Sequence, residues 1–382
     1  MKNIVKLDCW VDAMAIDNKK IWFIDGMTTG VFKTDLTTGE TEHVAKIPNK
    51  VKNIFRAFSG GIFYKGNCFF MPFNADVIIV YDTQSQKIKE ISIDGLVIEK
   101  AQFSNIIIKD NILYAIATYK NHLVLKMNIS KGDIEVIDFN YLEINNKNIT
   151  RDAINYKNKI IWGAINTPFL LVLETNDKKV KLIDTHINNG IGTIATDNQS
   201  VIISSRDGVY RLNEKDYSCK KICNYPSQMR ITTCKEGIVK KEAYYVNSEL
   251  SWEQPFFKSV IINNSLILIP AETDNFLCLK INEPNKVDII ELSELFEDRV
   301  YSLDGHISIL KFLSVVNDEN TIVMYSDYYS CLCVMEIDEN VIFNYKELWM
   351  KKDYLKRYLF DNNSVLFETK RVGIDVFLEM IL

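Results

Sequence analysis

An all-β chain assembled from one repeated hairpin unit is what this sequence predicts, on three observations. Residues 65–93, KGNCFFMPFNADVIIVYDTQSQKIKEISI, read as turn, strand (68–72), polar loop, strand (77–81), turn (82–86) and strand (87–93). An asparagine, usually preceded by Asp, Lys, Gly or Asn, marks the same kind of turn at Asn18, Asn67, Asn111, Asn158, Asn198, Asn264, Asn320 and Asn362. These residues tolerate positive φ and bond their own backbone, which suits a tight hairpin. The markers are 49, 44, 47, 40, 66, 56 and 42 residues apart. Most of these intervals lie near the ~40–50 residues of one four-stranded propeller blade. The expected architecture is therefore a single closed β-propeller of four-stranded antiparallel blades spanning residues 1–382.

Taken in order, each marker is followed by a short apolar strand: 21–24, 68–71, 112–117, 160–164, 201–204, 266–269, 321–325 and 365–368. A polar loop and a second β-rich strand come next: 30–34, 77–81, 123–127, 169–173, 208–212, 276–281, 331–337 and 374–381. Short strands separated by turn signals read as antiparallel sheet throughout. The two long intervals carry extra material. Residues 225–256 read as a loop inserted between blades, and 293–309, opening on SELFEDR, as a short helical insertion. Eight units are expected, with seven blades plus an irregular module as the alternative. The final unit (358–382) has material for three strands, and NIVKLD at 3–8 resembles the outer strands KVKLID (179–184) and KIKEI (87–91). An N-terminal strand completing the C-terminal blade would close the ring and remove a sheet edge.

Tyr81-Asp82-Thr83-Gln84-Ser85-Gln86-Lys87-Ile88 resembles the aromatic–Asp–x–x–Thr–Gly–Lys turn of kelch-like and quinoprotein-like propeller repeats. Phe32-Lys33-Thr34-Asp35-Leu36-Thr37-Thr38-Gly39-Glu40 is a looser second copy. The kelch Gly-Gly doublet occurs only as Gly60-Gly61, away from its usual place after the second strand, and the Trp-Asp signature of WD40 repeats is missing. The resemblance implies the propeller architecture and leaves the specific family open, since this fold hosts binding and many chemistries alike.

Composition narrows the function classes. A chain of 382 residues, 47% hydrophobic and 25% charged, can bury a large core without disulfide or metal staples. The net charge of −5 gives no basic footprint, so nucleic acid is not an expected partner. No stretch approaches the ~20 apolar residues of a membrane helix, and the N-terminal apolar pattern is broken by Asp8 and Asp12, unlike a signal peptide. Eight cysteines without repeated spacing read as reduced thiols of a cytoplasmic protein. Cys331-x-Cys333 puts two of them on one strand face and matches no common zinc knuckle.

In a propeller, loops between second and third strands converge with the blade connections on one face. Those segments hold Tyr119, Arg206, Glu272, Asp327, Tyr328 and Arg371, together with Arg56, Arg151, Arg230 and Arg357 from the connections. Six of the eight arginines (56, 151, 206, 230, 357 and 371) fall there, although lysine supplies most of the positive charge. The planar guanidinium fork suits a carboxylate or phosphate. The competing reading pairs these arginines with local acids such as Asp152 and Asp207 to lock loops. Tyr244, Tyr245, Trp252 and Phe256 in the insertion could anchor a partner or pack onto the ring as a lid.

No nucleophile elbow, phosphate loop or zinc-protease spacing occurs, and Gly190-Ile191-Gly192 reads as a turn into a strand. No catalytic residue, cofactor or metal is therefore expected. The expected function is a non-enzymatic scaffold whose arginine- and aromatic-lined face receives a protein, a peptide or an anionic small molecule. The alternative is a lyase or hydrolase acting on an anionic substrate, with an arginine holding a carboxylate while His122, Tyr119 or Glu272 moves protons.

Overall fold

The computed structural model describes residues 4–6, 9, 11–26, 30–47, 56–96, 102–118, 122–142, 144, 149–227, 229, 254–271, 273, 275–292, 312, 314–326, 331–338, 341–346 and 348–351. Seven four-stranded antiparallel sheets account for nearly all of them, each with its strands in sequential order. The fold is a β-propeller, with seven four-stranded blades among the described residues. Blade 1 comprises Val11–Asp17, Lys20–Asp25, Gly30–Asp35 and Thr41–Lys46, and blade 2 Phe58–Tyr64, Asn67–Pro72, Val77–Asp82 and Lys87–Ser92. Blade 3 comprises Phe103–Lys109, Ile112–Ala117, Leu123–Asn128 and Ile134–Asp138, and blade 4 Ile149–Tyr156, Lys159–Ala164, Phe169–Glu174 and Val180–Asp184. Blade 5 comprises Thr193–Thr196, Val201–Ser205, Gly208–Leu212 and Cys219–Asn224, and blade 6 Phe256–Ile262, Ser265–Pro270, Asn275–Lys280 and Val287–Glu291. Blade 7 comprises Ser314–Asp318, Thr321–Ser326, Cys331–Ile337 and Val341–Lys346.

The turn chemistry behaves as the asparagine markers require. Between first and second strands, Asn18 and Lys19, Asp110 and Asn111, and Asn263 and Asn264 form pairs with positive φ. In blade 2 the pair is Lys65 and Gly66, one step before the marker Asn67. The turns between third and fourth strands repeat a second device. Asp35 Oδ1 accepts from the amides of Thr37 and Thr38, Asp82 Oδ1 from those of Gln84 and Ser85, and Asn128 Oδ1 from those of Ser130 and Lys131. The loop closes with Gly39 N–H donating to Asp35 O and Gly132 N–H to Asn128 O. In blade 2 this is the Tyr81-Asp82 turn read from the sequence, and blades 1 and 3 build the same hydrogen bonds on Asp35 and Asn128.

Burial follows strand position. Second and third strands are buried on both faces, as in NCFFMP and VIIVYD. Fourth strands alternate and carry charge, as in KIKEIS and VKLID, which protects the sheet edge. Contacts divide the chain into two compact units. In the first, blades 7 and 1 share Met14, Phe23, Phe32, Val323, Tyr325 and Val334, and blades 1 and 2 share Trp22, Phe58, Phe70 and Ile79. Gly61 lets the first strand of blade 2 run over blade 1, because a Cβ there would lie 2.6 Å from Met14 O. That close approach accounts for the displaced Gly-Gly doublet. The second unit holds blades 3 to 6 from Ser104 onward, with Trp162, Phe139, Leu171 and Tyr114 packed together, then Ile161, Val172 and Ile203, then Phe256, Leu268 and Leu277.

The seven blades match the lower of the two counts allowed by the sequence. The proposed eighth unit, 358–382, lies outside the described residues. Ile4–Lys6 does pair antiparallel with a C-terminal strand, but that strand is Trp349–Lys351, with Val5 opposite Met350. Most of 225–256 and all of 293–309 also lie outside the described residues. No helix among the described residues is long and apolar enough to cross a membrane.

Candidate functional site on blades 4 to 6

First strands carry β-bulges near their start in blades 1, 2, 4 and 6. A bulge adds a residue and re-aims side chains, and polar groups collect there. In the first unit Asp12 sits in the bulge of blade 1, buried, and accepts both Arg56 Nε at 2.6 Å and Arg56 Nη2 at 3.2 Å. Arg56 also lies over Phe73, 5.1 Å from the ring centroid, and has φ of +51°. This fork-on-carboxylate pair locks the connection between blades 1 and 2. Ser59, in the bulge of blade 2, accepts the Phe103 amide at 2.9 Å.

In the second unit the first strands of blades 4, 5 and 6 lie side by side. Asp152, only 5% exposed, reaches from blade 4 to blade 6, where Oδ2 accepts Ser259 N–H at 2.8 Å and Ser259 Oγ–H at 2.9 Å. Burial raises its carboxyl to about 7, against the lowering effect of Ser259, Lys258 and the Ile194 amide of blade 5. Burial likewise lowers the Lys258 ammonium, helped by the like charge of Arg151 and opposed by Asp152. One clasp thus ties three blades together, with two cations beside it.

At the same end of these blades a second network spans the loops. Gln254, 1% exposed, donates from Nε2 to Asn166 Oδ1 at 2.8 Å and to Asn189 O at 3.1 Å. Asn166 N–H in turn donates to Ile191 O, and Ile191 N–H to Thr167 O. Gly190 makes this approach feasible: its φ is +71°, and a Cβ would sit 2.5 Å from Asn166 backbone. The Asn189 side chain hydrogen-bonds Asp207. Asp207 also receives Tyr210 Oη–H at 3.0 Å and ion-pairs with Lys221. Burial pushes the Asp207 carboxyl up, but its bonds from Lys221, Tyr210 and Asn189 outweigh that and hold it below the usual range. Tyr225 completes the support by donating to Ser205 O at 2.7 Å. Arg206, between Ser205 and Asp207 at the loop tip, is exposed and forms no ion pair with any described residue.

The sequence-derived candidates divide sharply. Arg151 and Arg206 fall on this face, half-buried and exposed respectively. Arg56 belongs to the first unit and is committed to Asp12. Tyr119, Glu272, Asp327, Tyr328, Arg371, Tyr244, Tyr245 and Trp252 lie outside the described residues. Phe256 is fully buried and meets Tyr225 edge-on at 5.4 Å, so it is a core residue and not an exposed anchor. His122 is buried and stacked on Phe139 at 5.4 Å. Asp152 and Asp207 do lock loops, through Ser259, Lys258, Tyr210 and Lys221. Gln254, Asn189 and Ser259 carry no sequence signal, because neutral polar residues before or within strands are common. Among the described residues no group of three or more His, Cys, Asp or Glu side chains could hold a metal ion.

Comparison with known proteins agrees with this architecture. No protein-family model and no curated protein matches the sequence. Solved structures do. The chain is similar to the RRP9 WD40 repeats at 9% identity and a TM-score of 0.56, over 89% of this chain and 97% of that one. It is similar to a chain of the Mitotic Checkpoint Complex at 8% identity and a TM-score of 0.55, over 90% and 91%. PorZ of Porphyromonas gingivalis matches at 10% identity and a TM-score of 0.53, over 89% of this chain but 39% of that one. At these identities the shared property is the fold, and the chain is a β-propeller.

Proposed function

We propose that this protein is a non-enzymatic docking platform whose contact face is the loop end of blades 4 to 6, with an acidic segment of a protein partner as its ligand. The observation that carries this reading is Arg206, an exposed guanidinium mounted on a loop whose flanking residues are held by Tyr225, Tyr210 and Lys221. A fork held on a stiff base loses little freedom when it binds a carboxylate. Arg151 and Lys258 extend the positive character toward the first strands. WD40 repeats and a checkpoint complex among the structural neighbours are consistent with a protein-interaction role.

The test compares wild type with Arg206→Glu for capture of partners from lysate of the source organism at two ionic strengths. Capture that is lost in a variant of unchanged melting temperature, and weakened by salt in wild type, is the expected result. Equal capture by both proteins would exclude Arg206 as the contact.

A second reading, a lyase or hydrolase with an anionic substrate, draws on one observation. Asp152 raised to about 7 beside a lowered Lys258 is the kind of pair that active sites use. Turnover of any anionic substrate that Asp152→Asn abolishes, with binding retained, would favour it over docking.

A further inference from the structure

Cys331 opens the third strand of blade 7 and Cys333 follows two residues later, so both point to the same side of the sheet. Both are fully buried, and their sulfur atoms are 4.0 Å apart. The second strand of the blade adds a third sulfur. Met324 is the direct cross-strand partner of Cys333, and Ser326 that of Cys331. Cross-strand partners share a face, and Met324 is also fully buried. The opposite face, with Val323, Tyr325, Leu332 and Val334, is the one packed into the core shared with blade 1. Two thiols and a thioether-bearing side chain therefore share one buried face of a single blade.

The spacing selects among the chemistries open to such a cluster. Residues i and i+2 of a strand have Cα atoms about 6.7 Å apart, at the outer limit of ~6.8 Å for disulfides and beyond their usual ~5.5–6 Å. Closing the sulfurs from 4.0 Å to a bond of ~2.05 Å would have to bend the strand. A bridging ion needs no such movement. With metal–sulfur bonds of ~2.3 Å, a separation of 4.0 Å corresponds to an S–metal–S angle of about 120°. That is a trigonal angle, and it leaves a third position for the Met324 thioether. Thiolate and thioether donors select a soft cation, for which the neutral hydroxyl of Ser326 is a weak competitor.

We propose that Cys331, Cys333 and Met324 form a site for one copper(I) ion. On binding, each thiol gives its proton to solvent as its sulfur–copper bond forms, Met324 donates a lone pair, and copper stays monovalent. No oxidant or reductant is consumed. Because two protons leave, apparent affinity falls by up to about 100-fold for each pH unit below the thiol range.

The test titrates the full chain anaerobically with copper(I) against bicinchoninate, a chromophoric copper(I) chelator. Wild type is expected to withhold one equivalent. Cys331→Ser and Cys333→Ser are expected to surrender it, and Met324→Leu to hold it at least tenfold more weakly. Copper(I) should also raise the melting temperature of wild type and leave that of the cysteine variants unchanged. No withheld equivalent, or the same equivalent withheld by the double cysteine variant, overturns the proposal. X-ray absorption on copper-loaded wild type gives an answer independent of whether variants fold. A shell of two to three sulfurs at ~2.2–2.3 Å supports the site, and nitrogen or oxygen ligands overturn it.

Discussion

Replacing Asp152 by Asn should remove one component of the pH dependence of stability, and its size follows from the clasp. The Asp152 carboxyl titrates near 7 in the folded chain, against 3.8 for the unperturbed group, because burial disfavours the charged form more than Ser259 and Lys258 favour it. The folded state therefore binds the proton more tightly than the unfolded state. Stability due to this group is greatest below about pH 4, declines as pH rises through the interval from about 4 to 7, and is level above that. Three pKa units correspond to about 4 kcal/mol, of which about 3 kcal/mol falls between pH 4.5 and 8. Asparagine keeps the shape and one acceptor but does not titrate. Urea unfolding of both proteins from pH 4.5 to 8.5 gives a difference curve from which the titrating groups not coupled to Asp152 cancel. The difference should shift in favour of the variant by about 3 kcal/mol on going to high pH. Parallel curves would refute the argument, since they would mean that the carboxyl is as well solvated folded as unfolded.

Three further outcomes are expected. Arg56→Ala should destabilise the chain by about 2–3 kcal/mol, by stripping its fork from a buried Asp12 carboxylate, while leaving partner capture unchanged; thermal unfolding and the capture assay measure the two separately. Gly61→Ala should cost about 2 kcal/mol or more, because its Cβ would press on the Met14 carbonyl at 2.6 Å; a melting temperature equal to wild type would show that the strands can part freely. Trp162→Ala, emptying the fully buried indole site between blades 3 and 4, should cost about 3–5 kcal/mol in urea unfolding.

What the sequence revealed and what it hid have physical reasons. The hairpins were legible because φ above zero is expensive for most side chains, so Asn18, Asn111 and Asn264 advertise their turns. Strand limits followed from the apolar runs: 112–117, 208–212 and 331–337 are the observed spans, and most others differ by one residue at an end. The proposed docking face was legible only in outline. The arginine count pointed to loop ends, but it treated Arg56 and Arg206 alike, although one is spent on Asp12 and the other is exposed. Deciding between them needs Asp12, 44 residues away in sequence. The Asp152–Ser259 clasp spans 107 residues, and its partner is an ordinary strand serine. Phe256 misled because the insertion ends where blade 6 begins, and an aromatic at that junction reads equally as anchor or core.

The most direct test of the docking claim places a photo-crosslinking amino acid at position 206 in one protein and at position 215 in another. Lys215 is exposed in the turn between third and fourth strands of blade 5, at the opposite end from Arg206. After irradiation in lysate of the source organism, mass spectrometry should find acidic partner peptides joined to position 206 and none to position 215. Crosslinks confined to position 215, or none at 206 above an unirradiated control, would contradict a docking face on the loops of blades 4 to 6.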